Sequence, residues 1–363
     1  MNSRNYRFRR GQLVPGAIAR RALGRVHNAR HTLGRRIRAG AARGGGGTAP
    51  RARSQGAARE IGWQAMAARK YRLKRDEPVP EGIARIALGR IDNALDELRG
   101  ETDSSPEDAV HTARKDMKKL RALLRLVRGE IGDDVYRRET TAFRDAGREL
   151  AGLRDADVMI ATLGSLELPE TEAGPLRQAL EAHRIRTAAG GREQAAAGAI
   201  DMLTAARERV TDWPLETDGF AAFEEGLGRM YRRGRRNMRA ARKEPTAESL
   251  HEWRKRTKDL WYHLALLEEA WPPVMEALAD EAHELSDRLG DAHDLDVLVE
   301  WARNHADPGA IQAAVDERRL RLQADAFDYG TRLYADKPRV FVGRIGGWWK
   351  ASASAARAEP AHH

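Results

Sequence analysis

One helix, written twice, constrains this chain more than any other feature. From Val110 to Arg125, the residues Val110, Ala113, Met117, Leu120 and Leu124, with Val127 just beyond, fall at steps of three and four. That is the apolar stripe an amphipathic helix buries. Beside it runs a second stripe, His111, Arg114, Lys115, Lys118, Arg121 and Arg125, almost wholly cationic. Surface helices mix the two signs, because like charges at i,i+4 repel by about 0.2–0.5 kcal/mol. Leu250 to Leu260 repeats the stretch at an offset of 140 positions. His251, Arg254, Lys255, Lys258 and Leu260 stand where His111, Arg114, Lys115, Lys118 and Leu120 stood, flanked by apolar Leu250, Trp253, Leu264 and Leu267. A solvated face has no reason to keep one order of histidine and cations through a duplication. The pair therefore reads as an anion-binding surface.

The duplication runs further. Leu150 to Val158 aligns with Leu289 to Val297, each a little over 40 residues past its own basic helix. Asp155, Asp157, Asp294 and Asp296 in these segments read as helix caps, since an acid at a helix start satisfies free N–H groups and favours the dipole. The other reading is that they orient a cation of the repeated helix.

The spacing predicts helices over most of 79–350. They begin with 79–98 behind Pro80, the basic helix over 107–129 and a helix over 134–152. A short helix opens at 153–158, and an Ala-rich one follows over 175–210. Trp213-Pro214 breaks the chain. The second half continues through Phe220–Met230 into an arginine-rich run, a basic helix over 246–270, helices over 274–290, 294–305 and 308–335, and a last one from 339. No window alternates with period two, so the fold class is all-α, in two related halves, 79–212 and 213–350, with a tail over 351–363.

Charge has to be placed along the chain to mean anything. Residues 1–60 hold 15 arginines, no lysine and one acid, so the remainder of this +10 chain is mildly acidic. Any anion site in the body must arise from local sorting. The chain has no cysteine, which removes disulfides, thiolate catalysis and thiolate-bound zinc. No apolar run reaches the roughly 20 residues of a membrane span, and the N-terminus lacks the apolar core of a secretory signal. A cytoplasmic protein without membrane contact is expected.

Residues 6–33 align without gaps on 71–98, with Val14-Pro15 matching Val79-Pro80 and Ala22-Leu23-Gly24-Arg25 matching Ala87-Leu88-Gly89-Arg90. The acids Asp76, Glu77, Asp92 and Asp96 become Gly11, Gln12, His27 and His31. With the Gly/Arg/Ala stretch that follows, residues 1–66 read as mostly disordered, with one marginal helix at 16–38. They form a basic arm left by partial duplication, or else the effective chain begins near Met66.

The doubled His-x-x-Arg-Lys-x-x-Lys helix, followed each time by Asp-x-Asp-Val, resembles the CHAD family of histidine-containing α-helical domains over about residues 79–350. The resemblance implies two four-helix bundles related by pseudo-twofold symmetry, with a central basic cleft that binds inorganic polyphosphate. No nucleophile–base pair, glycine-rich phosphate loop or paired-carboxylate site stands out in the sequence, so a non-catalytic protein is expected. The resemblance also implies an association with polyphosphate granules. Some members carry a triphosphate-tunnel domain with a Glu-x-Glu-x-Lys signature; this sequence has no such signature. By position, the implied contacts are His111, Arg114, Lys115, Lys118, Arg121 and Arg125, with His251, Arg254, Lys255 and Lys258. The second half departs from the pattern at Asp259, Trp261 and Ala265, where the first has Lys119, Arg121 and Arg125. It should be the weaker electrostatic partner, reinforced by Arg235, Arg236 and Arg239; Arg144 and Arg148 extend the first half.

The ligand suits the residues. Polyphosphate has no base edges to read, so charge and shape are its only handles, and Lys and Arg supply a mobile point charge and a planar fork. A phosphate chain would also favour protonated His111 and His251, predicting tighter binding below neutral pH. Two rivals stand beside this reading. His251, His283, His293, Asp294 and Asp296 resemble the ligands of a metal-dependent HD-type phosphohydrolase, although Arg154 occupies the place of His293 in the first half. The arginine-rich arm would bind nucleic acid non-specifically, although aromatics near the basic helices are few. No resident metal or cofactor is expected, and oligomeric state is open.

Overall fold

The computed structural model describes residues 71–151, 155–188, 192–305 and 307–358. The arm expected over 1–66, its helix at 16–38 and the last residues of the tail lie outside them. Among the described residues the chain is helical, without a strand.

Four helices make a first ring: α1 (Val79–Arg99), α2 (Pro106–Leu126), α3 (Arg128–Glu149) and, after α4 (Asp155–Gly164) and α5 (Glu170–Ala188), α6 (Arg192–Glu208). Each packs on the next, and α6 closes on α1. The second ring is α7 (Ala221–Lys243), α8 (Ala247–Leu266), α9 (Pro272–His305) and α10 (Gly309–Leu333), with α11 (Pro338–Ala358) against α7.

Short local signals set the starts of the two basic helices. Ser105 accepts from the Asp108 N–H at 3.2 Å ahead of α2, and Thr246 with Ser249 forms a reciprocal capping box ahead of α8. Each satisfies N–H groups that would otherwise stay unbonded. The predicted apolar stripes are the core: Ala113, Met117, Leu120 and Leu124 on α2, and Trp253, Leu260 and Leu264 on α8, are all buried.

The two basic helices pack directly against each other. The His263 ring of α8 donates through Nε2 to the Ala122 carbonyl of α2 at 2.8 Å. Burial holds this histidine's pKa down to about 4, so it stays neutral. Arg125 of α2 pairs with Asp259 of α8 at 3.1 Å, and Arg256 pairs with the same acid at 3.0 Å. Nearby, α7 crosses the end of α2 so closely that a Cβ on Gly226 would lie 1.7 Å from the Leu126 carbonyl oxygen. A second, smaller core joins the halves: Met159, Leu163, Leu176 and Leu180 of α4 and α5 meet Leu295, Leu298, Ile311 and Val315 of α9 and α10.

Four boundaries differ from expectation. The first basic helix stops at Leu126, and the chain turns through Gly132, at φ 74°, within the first turns of α3. The Ala-rich stretch over 175–210 supplies two elements with different partners: α5 packs on α4 and α10, whereas α6 completes the first ring. The third difference is functional. Helix α9 runs unbroken for 34 residues through Gly290-Asp291-Ala292-His293. A glycine inside a helix costs only about 1 kcal/mol, and Leu289, Ala292, Leu295 and Leu298 are buried along this stretch. Packing therefore overrides the expected break, and Asp294 and Asp296 sit in mid-helix where they cannot cap. Asp155 and Asp157 do lie in the first turn of α4. At the far end α11 continues as helix to Ala358, into the stretch expected as tail.

Candidate anion-binding site

Where α2 meets α8 a cavity of about 260 Å³ opens. Lys118, Arg121 and Arg125 line it from α2, and His251, Arg254, Lys255, Arg256, Lys258, Asp259 and Tyr262 from α8. Seven cations thus face one acid. Asp259 fastens Arg125 to Arg256 and removes part of that excess. A second cavity, of about 310 Å³, adjoins it on the first-half side. Arg114, Lys118 and Arg121 of α2 and Arg144 and Arg148 of α3 line it over a floor that includes Met117 and Phe143. Lys118 and Arg121 belong to both.

The duplication is visible in how the arginines are seated. Arg114 donates to the Ala151 carbonyl at 3.1 Å, with Asp155 at 4.0 Å. Its counterpart Arg254 lies against Gly290, the residue aligned with Ala151, with its Nη2 3.0 Å from where a Cβ would stand. Asp155 thus stands at the edge of ion-pair distance from a basic-helix cation. Asp157 pairs instead with Arg184 at 3.8 Å and Asp296 with Arg319 at 3.4 Å. Asp294 acts on Lys258 and His293 through charge.

Several residues that line the central cavity also carry a polar atom with no hydrogen-bond partner in the protein. Nε of Arg121, Arg254 and Arg256, Nδ1 of His251 and the Tyr262 hydroxyl are all shut from solvent without a hydrogen-bond partner. Leaving a buried group unbonded costs about 1–3 kcal/mol, and folded proteins leave few such groups. Being shut from solvent, these atoms lie behind the cavity wall, so the case for an anion rests on the cations that line it.

Burial and mutual repulsion also reset the acid–base behaviour. The pKa of Lys258 is pushed down to about 8 by burial, then by Arg254 and Lys115, against the pull of Asp287 and Asp294. That of His251 is pushed down to about 4 by burial, then by His293, Lys255 and Arg254. His251 is thus neutral across the physiological range, its ring 4.6 Å from that of His293. The tightening expected below neutral pH moves to more acidic solution, because the ligand must first lift this depressed pKa. On the alkaline side the sign is the same, with affinity again falling as pH rises. Free Lys258 loses its proton above about pH 8, an anion binds the charged form, and affinity falls by up to about tenfold per pH unit. Anion affinity measured from pH 7 to 9.5 should show this decline, and Lys258→Arg, which keeps its charge, should flatten it.

Sequence reasoning placed several groups correctly on their helices but not all at the cavities. His111 and Lys115 line neither, although Lys115 is close enough to depress Lys258. Arg235, Arg236 and Arg239 also line neither. Arg235 donates to the Tyr334 carbonyl at 3.1 Å and so ties α7 to the end of α10, while Arg236 and Arg239 are exposed. Arg256, Asp259 and Tyr262 were not expected at the site and all line it. The HD-type ligand set does not assemble: His283 pairs with Asp287 at 3.3 Å and packs on Trp261. Among the described residues no group of three or more such side chains is placed to hold a metal. None of the described helices is long and apolar enough to cross a membrane.

Comparison with known proteins bears on the family and the fold. A model of the CHAD domain matches residues 85–303, more than half of the chain. The crystal structure of the CHAD domain from the plant Ricinus communis superposes with a TM-score of 0.55 at 17% sequence identity, covering 73% of this chain and 94% of that one. No curated protein matches the chain significantly.

Proposed function

The chain belongs to the CHAD domain family, and from that premise we propose that it is a non-catalytic binder of inorganic polyphosphate that associates with polyphosphate granules. One observation carries the proposal: seven cations converge on a single cavity between the repeated helices. The ligand that answers it is an unbranched anion with acceptor oxygens along its whole length. Each phosphate offers charge to a lysine and paired oxygens to an arginine fork. The cavity, at about 260 Å³, suits a thin strand of phosphates better than a stacked duplex.

The reading favours binding over chemistry. The residues around the cavity are lysines and arginines, which grip a charged backbone, and the single acid there is committed to Arg125 and Arg256. Binding that neutralises several phosphates releases counterions. Affinity for long-chain polyphosphate should fall at least about a hundredfold between 50 and 200 mM salt.

Competition on the full chain separates polyphosphate from nucleic acid. Fluorescent polyphosphate should resist duplex DNA supplied at equal phosphate concentration. Displacement by the DNA would transfer the proposal to nucleic acid. Release of orthophosphate from polyphosphate in the presence of added manganese would show an enzyme instead.

A further inference from the structure

The two halves present different surfaces beside the central cavity. On the first-half side, α3 carries Arg144 and Arg148 one turn apart. Asp145 between them bonds Arg144 at 2.8 Å and Arg148 at 3.5 Å, which fixes both at the rim of the adjoining cavity. Met117 and Phe143 support their stems from below.

The alignment that joins Leu150 to Leu289 places His283 and Asp287 of α9 where α3 has Arg144 and Arg148. Burial supports the register: Phe143 with Ala282, Ala146 with Leu285 and Leu150 with Leu289 are all core pairs. On this side His283 and Asp287 pair with each other, and Trp261 stands where α2 has Arg121, its ring 3.9 Å from that of His283. Further acids follow along α9. Asp287 and Asp294 together raise the pKa of Asp291 beyond what burial does, and both act on Lys258. The arginines of one half are thus replaced by acids in the other, with Arg288 and Arg318 acting on Asp291.

We propose that a polyphosphate strand leaves the central cavity in one direction only, over Arg144 and Arg148 of α3, while the acids of α9 close the opposite direction. This rests on the polyphosphate reading and adds a length rule to it. Short oligophosphates occupy the central cavity alone. Longer chains gain affinity from the first-half track and from nowhere on the second-half side. Asp287 and Asp291 set that direction by repulsion, a specificity that contacts alone do not give.

The test compares tripolyphosphate with long-chain polyphosphate on the full-length protein. Wild type should bind the long chain more tightly. Arg144→Gln with Arg148→Gln should weaken the long chain at least tenfold, and by a much larger factor than it weakens tripolyphosphate. Adding Asp287→Asn and Asp291→Asn to that variant should recover long-chain affinity by opening the second exit. Equal weakening of both lengths, or none, overturns the one-way track. A wild-type protein that binds neither length overturns the polyphosphate reading itself, so the two failures are distinguishable. Unchanged helical circular dichroism shows that the variants are folded.

Discussion

Lys118→Glu combined with Lys258→Glu should reduce polyphosphate affinity by about a thousandfold. The two lysines come from opposite walls of the central cavity, one on each copy of the basic helix. Each reversal removes a charge-assisted contact and adds a repulsive charge. Truncating one partner of a desolvated charge pair already costs about 2 kcal/mol or more. Two such losses come to roughly 4 kcal/mol, or about three decades in Kd. Calorimetric titration of long-chain polyphosphate would measure this, with circular dichroism confirming the fold. Lys258→Gln serves as the milder partner, because Lys258 lies near Asp287 and Asp294 and a third carboxylate there would strain the structure. Near-wild-type affinity in the folded double variant would dissociate the cavity from binding.

Gly226→Ala should be the most damaging single methyl group in the chain. Its Cβ would sit 1.7 Å from the Leu126 carbonyl oxygen and 2.6 Å from the carbonyl carbon. Both atoms are backbone, so no side chain can swing aside and α7 must move off α2. Overpacking a tight core costs about 1–3 kcal/mol, more where the backbone must shift. A loss of about 3 kcal/mol, seen as a fall in Tm of roughly 5–10 °C, is expected. Gly343→Ala is the control, because no atom lies within 4 Å of its Cβ direction. It should leave Tm unchanged or raise it slightly, since alanine is the better helix former. Thermal unfolding followed at 222 nm distinguishes the two, and equal melting of both variants would show that the crossing has slack.

The basic helices were legible because two signals agreed: an apolar period of three and four, and one order of histidine and cations kept in both copies. Those signals placed Lys118, Arg121, Arg125, Arg254, Lys255 and Lys258 at the cavity. Arg256 and Asp259 were not legible as lining. Their place depends on how α8 lies on α2, which brings Arg125 to Asp259 across the two halves, and nothing in either helix alone encodes that meeting. Arg235, Arg236 and Arg239 lie away from both cavities for the converse reason. Their helix turns Phe223, Leu227, Met230 and Gly234 inward, so local charge density there marked an outer surface. The unbroken course of α9 was hidden because Gly290 and the following acids look like a stop signal, while the layer of leucines that holds them helical is tertiary.

The small core shared by α4, α5, α9 and α10 bears on ancestry. Under the alignment of the halves, α4 and the end of α9 are the same segment, so this core is one surface meeting its own copy. Self-complementary contacts of that kind belong to twofold homodimers. A progenitor with a single copy would have exposed Leu163, Leu180 and their neighbours until a sister subunit covered them. With both copies on one polypeptide, that core no longer depends on the concentration of a second chain.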